Sequence, residues 1–124
     1  ARHGGRGELL SPKMHKHGRF YSKSVTLARG LILAVERAGV LNGREFTEEA
    51  RFQLRRYLDA PERGWPMPLV TELYGPRISR SLTLTMELIE RLQWEANAYG
   101  RDLSAEIRYG LECAMGFRQK GGGI

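Results

Sequence analysis

GREFTEEARFQL, residues 43–54, recurs as GRDLSAEIRYGL at residues 100–111, an offset of 57 positions. Gly, Arg, Glu, Arg and Leu are identical at five places, and exchanges such as Glu45 for Asp102, Phe46 for Leu103, Thr47 for Ser104 and Phe52 for Tyr109 are mild. Without a gap, the same offset sets KSVTLARGLI, residues 23–32, on RSLTLTMELI, residues 80–89, where Ser, Thr, Leu, Leu and Ile coincide. The chain is therefore an internal duplication of units about 36 residues long. A unit below roughly 40 residues rarely folds unaided, so the two copies are expected to share one core.

Each copy reads strand, helix, helix. In residues 22–28, Val25 and Leu27 alternate with Ser24 and Thr26; in the second copy Leu82 and Leu84 alternate with Ser81 and Thr83. That period of two marks a strand with one buried face and one hydroxyl-bearing face. Leu31, Ile32, Val35 and Gly39, matched by Leu88, Ile89, Leu92 and Ala96, then fall on one helical stripe. Asn42-Gly43 and Tyr99-Gly100 stop these helices, glycine being favoured in the left-handed turn past a helix end. Thr47 and Ser104 are expected to cap a second helix, with Glu48, Glu49 and Glu106 in its first turn. Its buried face is expected to hold Phe46, Ala50, Leu54 and Tyr57, matched by Leu103, Ile107, Leu111 and Ala114.

A single short strand cannot satisfy its own ladder hydrogen bonds, and the economical partner is the other copy's strand. The expected fold is mainly α with a two-stranded antiparallel β-ribbon, the tandem units forming an intramolecular pseudo-dimer. Residues 1–21 read as a flexible basic arm, 22–58 and 79–116 as the two units, 59–78 as a linker and 117–124 as a flexible tail. The linker takes four of the five prolines, yet Trp65, Leu69, Val70, Leu73 and Tyr74 make it apolar enough to lie against the body.

Charge points to the partner. Twenty Lys and Arg against fourteen Asp and Glu give +6 and a pI near 9.9, which favours an anionic partner. Arg2, Arg6, Lys13, Lys16, Arg19 and Lys23 face only Glu8 in the leading segment. The longest apolar run, Leu31 to Val35, is far short of the ~20 residues a membrane helix needs. The arm is not followed by an apolar run of leader type and the chain has one cysteine, so a cytoplasmic setting is expected. Cys113 reads as a small buried hydrophobe. His3, His15 and His17 lie in the arm with no ordered second shell, so no metal site and no cofactor are expected.

The outer ribbon face would present Ser22, Ser24, Thr26, Ser79, Ser81 and Thr83, with Thr85 at one end. A two-stranded ribbon fits the major groove of B-DNA, where hydroxyls both donate and accept at base edges. Paired catalytic carboxylates, a His-carboxylate motif and a phosphate-binding Gly loop are all missing at useful spacing, so no enzyme is expected.

The alternating strand, the Leu-Ile start of the first helix and the Gly-Arg turn before the second resemble the ribbon-helix-helix DNA-binding superfamily, which includes the Arc, MetJ and CopG repressors. The resemblance covers residues 22–58 and 79–116. It implies that Ser22, Ser24, Thr26, Ser79, Ser81 and Thr83 face bases, and that Thr47 and Ser104, with Lys23 and Arg80, contact phosphates. It also implies partly buried ion pairs Arg44–Glu49 and Arg101–Glu106, with Gln53 and Gly110 standing where a further Arg is found in Arc-like members. The tandem layout, with Tyr74-Gly75 in the linker, is similar to the TraY group of relaxosome accessory proteins of F-type conjugative plasmids. That likeness implies double-stranded DNA at an origin of transfer, a relaxase as partner, side-by-side association on DNA and regulation of transfer-gene transcription.

Three other readings start from the same residues. A plain transcriptional repressor would use the same surface. An antitoxin would be expected to continue past residues 116–124 into a toxin-binding tail. A protein-interaction module would use the ribbon only to hold the core, with Trp94, on the polar side of its helix where the first copy has Arg37, as an anchor or as a residue packed on the linker.

Overall fold

The computed structural model describes residues 11–15, 18–60 and 75–117. The expectations for the start of the arm, His17, the apolar linker residues and the tail lie outside these residues. The element order is β1 (Ser11–His15), β2 (Gly18–Ala28), α1 (Arg29–Asn42), α2 (Phe46–Asp59), β3 (Arg77–Thr85), α3 (Met86–Tyr99) and α4 (Leu103–Ala114). The described chain is mainly helical, with an antiparallel sheet in the order β1-β2-β3.

The long strands β2 and β3 form the ribbon. Both reach beyond the alternating segment: β2 begins at Gly18 and Phe20 pairs with Thr85, while Ser11–His15 pairs with residues 18–22 as a third strand. The expected two-stranded antiparallel ribbon is β2 with β3; beyond that expectation, Ser11–His15 adds a third strand on its edge and residues 18–21 belong to β2 rather than to an arm. Backbone pairing continues wherever a neighbour offers N–H and C=O groups, and needs no hydrophobic alternation to do so.

Register fixes the relation between the copies. Ser24 pairs with Ser81, which is also its equivalent in the repeat, so Ser22 meets Thr83 and Thr26 meets Ser79. Exchanging the two copies therefore returns the same set of strand pairs. Val25, Leu27, Leu82 and Leu84 are buried on the inner face and join Leu31, Val35, Leu54, Leu88, Leu92, Ile107 and Leu111 in one core. That core draws on all four helices and both ribbon strands.

The helix ends match the expected punctuation. Gly43 and Gly100 are left-handed, at φ 71° and 70°. Arg44 and Arg101 then donate their backbone N–H groups back to Gly39 and Ala96, each at 2.8 Å. A Cβ on Gly39 would sit 2.6 Å from the Arg44 carbonyl oxygen, so the close approach there is the chain's own turn.

The second helices start two residues earlier than expected. Glu45 and Asp102 are the N-caps, not Thr47 and Ser104. Asp102 accepts from Ala105 N–H at 2.7 Å, and Glu45 N–H donates to Glu48 Oε1 at 3.0 Å. Two extended residues after the glycine complete the turn, so a carboxylate reaches the cap position first. No helix among the described residues is long and apolar enough to cross a membrane.

Candidate nucleic-acid interface

On the outer ribbon face Ser24, Thr26, Ser79 and Ser81 are exposed, and Ser22 and Thr83 are half-buried. The serines bond across the ribbon in two pairs: Ser22 Oγ to Ser81 Oγ at 2.8 Å and Ser24 Oγ to Ser79 Oγ at 2.7 Å. Each pair uses one proton, and a hydroxyl has one donor and two acceptor positions, so the row keeps capacity for an outside ligand. The cross-strand bonds also hold the rotamers, which lowers the entropy lost on binding.

Thr83 is held more firmly than its repeat equivalent Thr26. Its N–H donates to Thr47 Oγ1 at 3.0 Å, the two threonine Oγ1 atoms are 3.0 Å apart, and Arg51 donates to both Thr83 O and Thr83 Oγ1 at 2.8 Å. Thr47, freed from capping, thus ties the first turn of α2 to the edge of β3. Arg108, the equivalent of Arg51, reaches Thr26 O at 3.5 Å. Both helix starts consequently flank the hydroxyl row, each with one arginine beside it.

Arg51 and Arg108 join the candidate site in the structure without having been among its expected residues. The signal was present, because they are the second Arg kept in both copies of the repeated dozen. Burial disfavours the charge on Arg51 and lowers its pKa, as does nearby Arg55, while Glu48 opposes the shift. Phe20 lies under its guanidinium at 4.7 Å.

The structure does not bring Lys23 and Arg80 to the hydroxyl face. Both fall on the inner parity of the ribbon, opposite Leu82 and Val25. Arg80 bonds Glu36 at 3.2 Å and stacks on Phe46 at 3.9 Å. Ser104 is half-buried in the first turn of α4.

Behind the interface lie two buried carboxylates. Glu49, fully buried, accepts from Arg44 at 2.7 Å, from Gln53 at 2.6 Å and from Asn42 at 3.3 Å. Burial pushes its pKa up, but these hydrogen bonds outweigh it and hold the carboxyl below the ordinary range. Glu106, also fully buried, accepts from Arg101 at 2.6 Å and from the Tyr57 hydroxyl at 2.5 Å. Burial, then the hydrogen bond to Glu106, raises the Tyr57 pKa, so the phenol stays a donor. The two ion pairs fix the turn that aims each second helix at the ribbon.

No protein-family model, curated protein or solved structure matches the chain.

Proposed function

We propose that the chain is a ribbon-helix-helix protein in tandem form, its two units an intramolecular pseudo-dimer that binds specific double-stranded DNA through the ribbon in the major groove. The observation that carries this reading is the outer face of β2 and β3. Six hydroxyls stand there in a row centred on Ser24 and Ser81, with a helix start and an arginine at each side. Hydroxyls read base edges, and the flanking arginines Arg51 and Arg108 suit phosphates, which set register without carrying sequence information.

We propose a plasmid origin of transfer as the setting, with a relaxosome accessory function that recruits or stimulates a relaxase and regulates transfer-gene transcription; the tandem layout of the two units supports it. The setting rests on that layout alone. Neither role needs a catalytic group or a cofactor. A repressor acting only at a promoter is separated by the position of the preferred site.

A second reading is favoured by one observation. Trp94 is 72% exposed, and Val40 and Leu41 are 81% and 85% exposed, which suits a protein partner.

Selection of bound duplexes from a random library at two salt concentrations tests the first reading. A short motif that survives moderate salt is expected; no motif, with binding lost at moderate salt, leaves the protein-partner reading. Thr26→Ala is then expected to weaken the selected site by about 1–3 kcal/mol while sparing nonspecific DNA. Equal losses on both DNAs, measured by titration, would remove the ribbon from base recognition. Thr26 is the better probe, because Thr83 is also committed to Thr47 and Arg51.

A further inference from the structure

The hydroxyl row is chemically two-fold. Ser22, Ser24 and Thr26 are repeated as Ser79, Ser81 and Thr83, and the register exchanges the two sets. Such a centre presents the same groups to a duplex in either direction. The positions just beyond it are not two-fold. The repeat equivalent of Phe20 is Arg77, and these residues sit at opposite ends of the same face, paired with Thr85 and Ala28.

The surroundings sharpen the difference. At the Phe20 end the ring lies beneath Arg51 and lines a small cavity with Glu45, Thr47, Glu48 and Thr83, where Glu48, replaced by Ala105 in the other copy, acts on the arginine charge. At the other end Arg77 is exposed and Arg108 reaches the neighbouring Thr26 carbonyl. Among the described residues no hydrogen bond or ion pair involves the Arg77 side chain. Eight residue steps separate the ends of the face, roughly 27 Å of strand, so the two ends meet different base pairs.

We infer that Phe20 and Arg77 give the ribbon a direction on DNA, the Arg77 end selecting a flank that carries guanine and the Phe20 end a flank without that demand. A guanidinium forms a bidentate pair with guanine O6 and N7, whereas a phenyl ring offers only apolar contact, best met by a thymine methyl group. The bound molecule is thereby oriented, and copy two, with Trp94 and Tyr99, lies on a defined side of the site. This inference rests on the DNA-binding reading proposed above.

The test uses the full chain with an iron chelate on Ala98→Cys. Ala98 is exposed and belongs to copy two alone, and Cys113 is buried and does not compete for the label. On a selected site the cuts are expected on one side of the motif, with the guanine flank on a fixed side relative to them. Arg77→Ala is expected to lower affinity for the guanine-flanked site by about tenfold and leave the central positions unchanged. The double variant Phe20→Arg with Arg77→Phe is expected to move the cuts to the other side of the guanine flank. Equal cutting on both sides in the parent, or a pattern that the double variant leaves in place, would overturn the inference while a motif and its central positions persist. Absence of any motif in the parent overturns instead the reading beneath it. Thermal unfolding of each variant confirms that a lost preference is not lost folding.

Discussion

Tyr57 and Gly110 show how single residues make the two copies unlike. In the repeat, Gly110 stands for Gln53 and Ala114 for Tyr57, so each copy is large where the other is small. A Cβ on Gly110 would lie 2.8 Å from the Tyr57 ring and 3.0 Å from a Leu54 methyl group. The glycine is thus a socket for the tyrosine, whose hydroxyl ends on Glu106. Gly110→Ala gains about 1 kcal/mol of helix propensity but overpacks a closed site at a cost of about 1–3 kcal/mol, so a net loss in urea unfolding is expected. In a Tyr57→Leu background the same substitution is expected to lose less, because the ring is gone; equal losses in both backgrounds would mean that the socket is not what constrains Gly110. None of this was legible in sequence. Gly110 read only as the place of a missing arginine, since a size match between two helices has no local pattern.

At the scale of elements, what could be read depended on whether the cause was local. The strands at 22–28 and 79–85, the stripe of α1 and α3 and their glycine ends follow from periodicity and backbone conformation within one segment. The extension of β2 to Gly18 depends on what lies alongside it, and Phe20 and Tyr21, both bulky and half-buried, hide the alternation there. The start of α2 departs from the pattern of residue types for a related reason. Thr47 is a good cap by type, but Glu45 reaches that place first and leaves the hydroxyl to bond Thr83. For the site, the hydroxyl row was legible from alternation, while the committed roles of Arg51 and Arg80 depend on partners 32 and 44 residues away.

The α2 start also carries a pH dependence. Glu49 is held below the ordinary glutamate value of about 4.3, so its folded-state pKa lies under its unfolded one. A depressed carboxylate contributes stability that is fully present above the unfolded value and is lost as pH falls through the folded one. Glu49→Gln removes a charge-assisted bond from Arg44, at a cost of about 1.5–3 kcal/mol at pH 7, and is expected to flatten the loss of stability below about pH 4.5. Urea midpoints at pH 7 and pH 3 check this. An undiminished acid loss in the variant would assign that loss to other carboxylates.

For the whole molecule, the decisive question is which copies pair. In the structure β2 pairs with β3 of the same chain, and Tyr57 of copy one fills the space above Gly110 of copy two. Two first copies pairing in this geometry would set Tyr57 against Gln53 with no socket, and two second copies would leave Ala114 and Gly110 facing unfilled space. Unlike pairing is therefore favoured by packing, and the covalent connection makes it unimolecular at an effective concentration on the order of millimolar. A fold that depends on a second chain gains stability with protein concentration; one that pairs within itself does not. The thermal midpoint is accordingly expected to stay constant over a hundredfold range of protein concentration. A midpoint that rises with concentration would mean that copies exchange between chains, joining two molecules through the same Tyr57–Gly110 contact. In that case every ribbon would still contain one strand of each kind, and the unlike ends at Phe20 and Arg77 would be preserved. The size match thus secures an unlike-stranded ribbon whichever chain supplies the second strand, and only the number of ribbons per assembly changes.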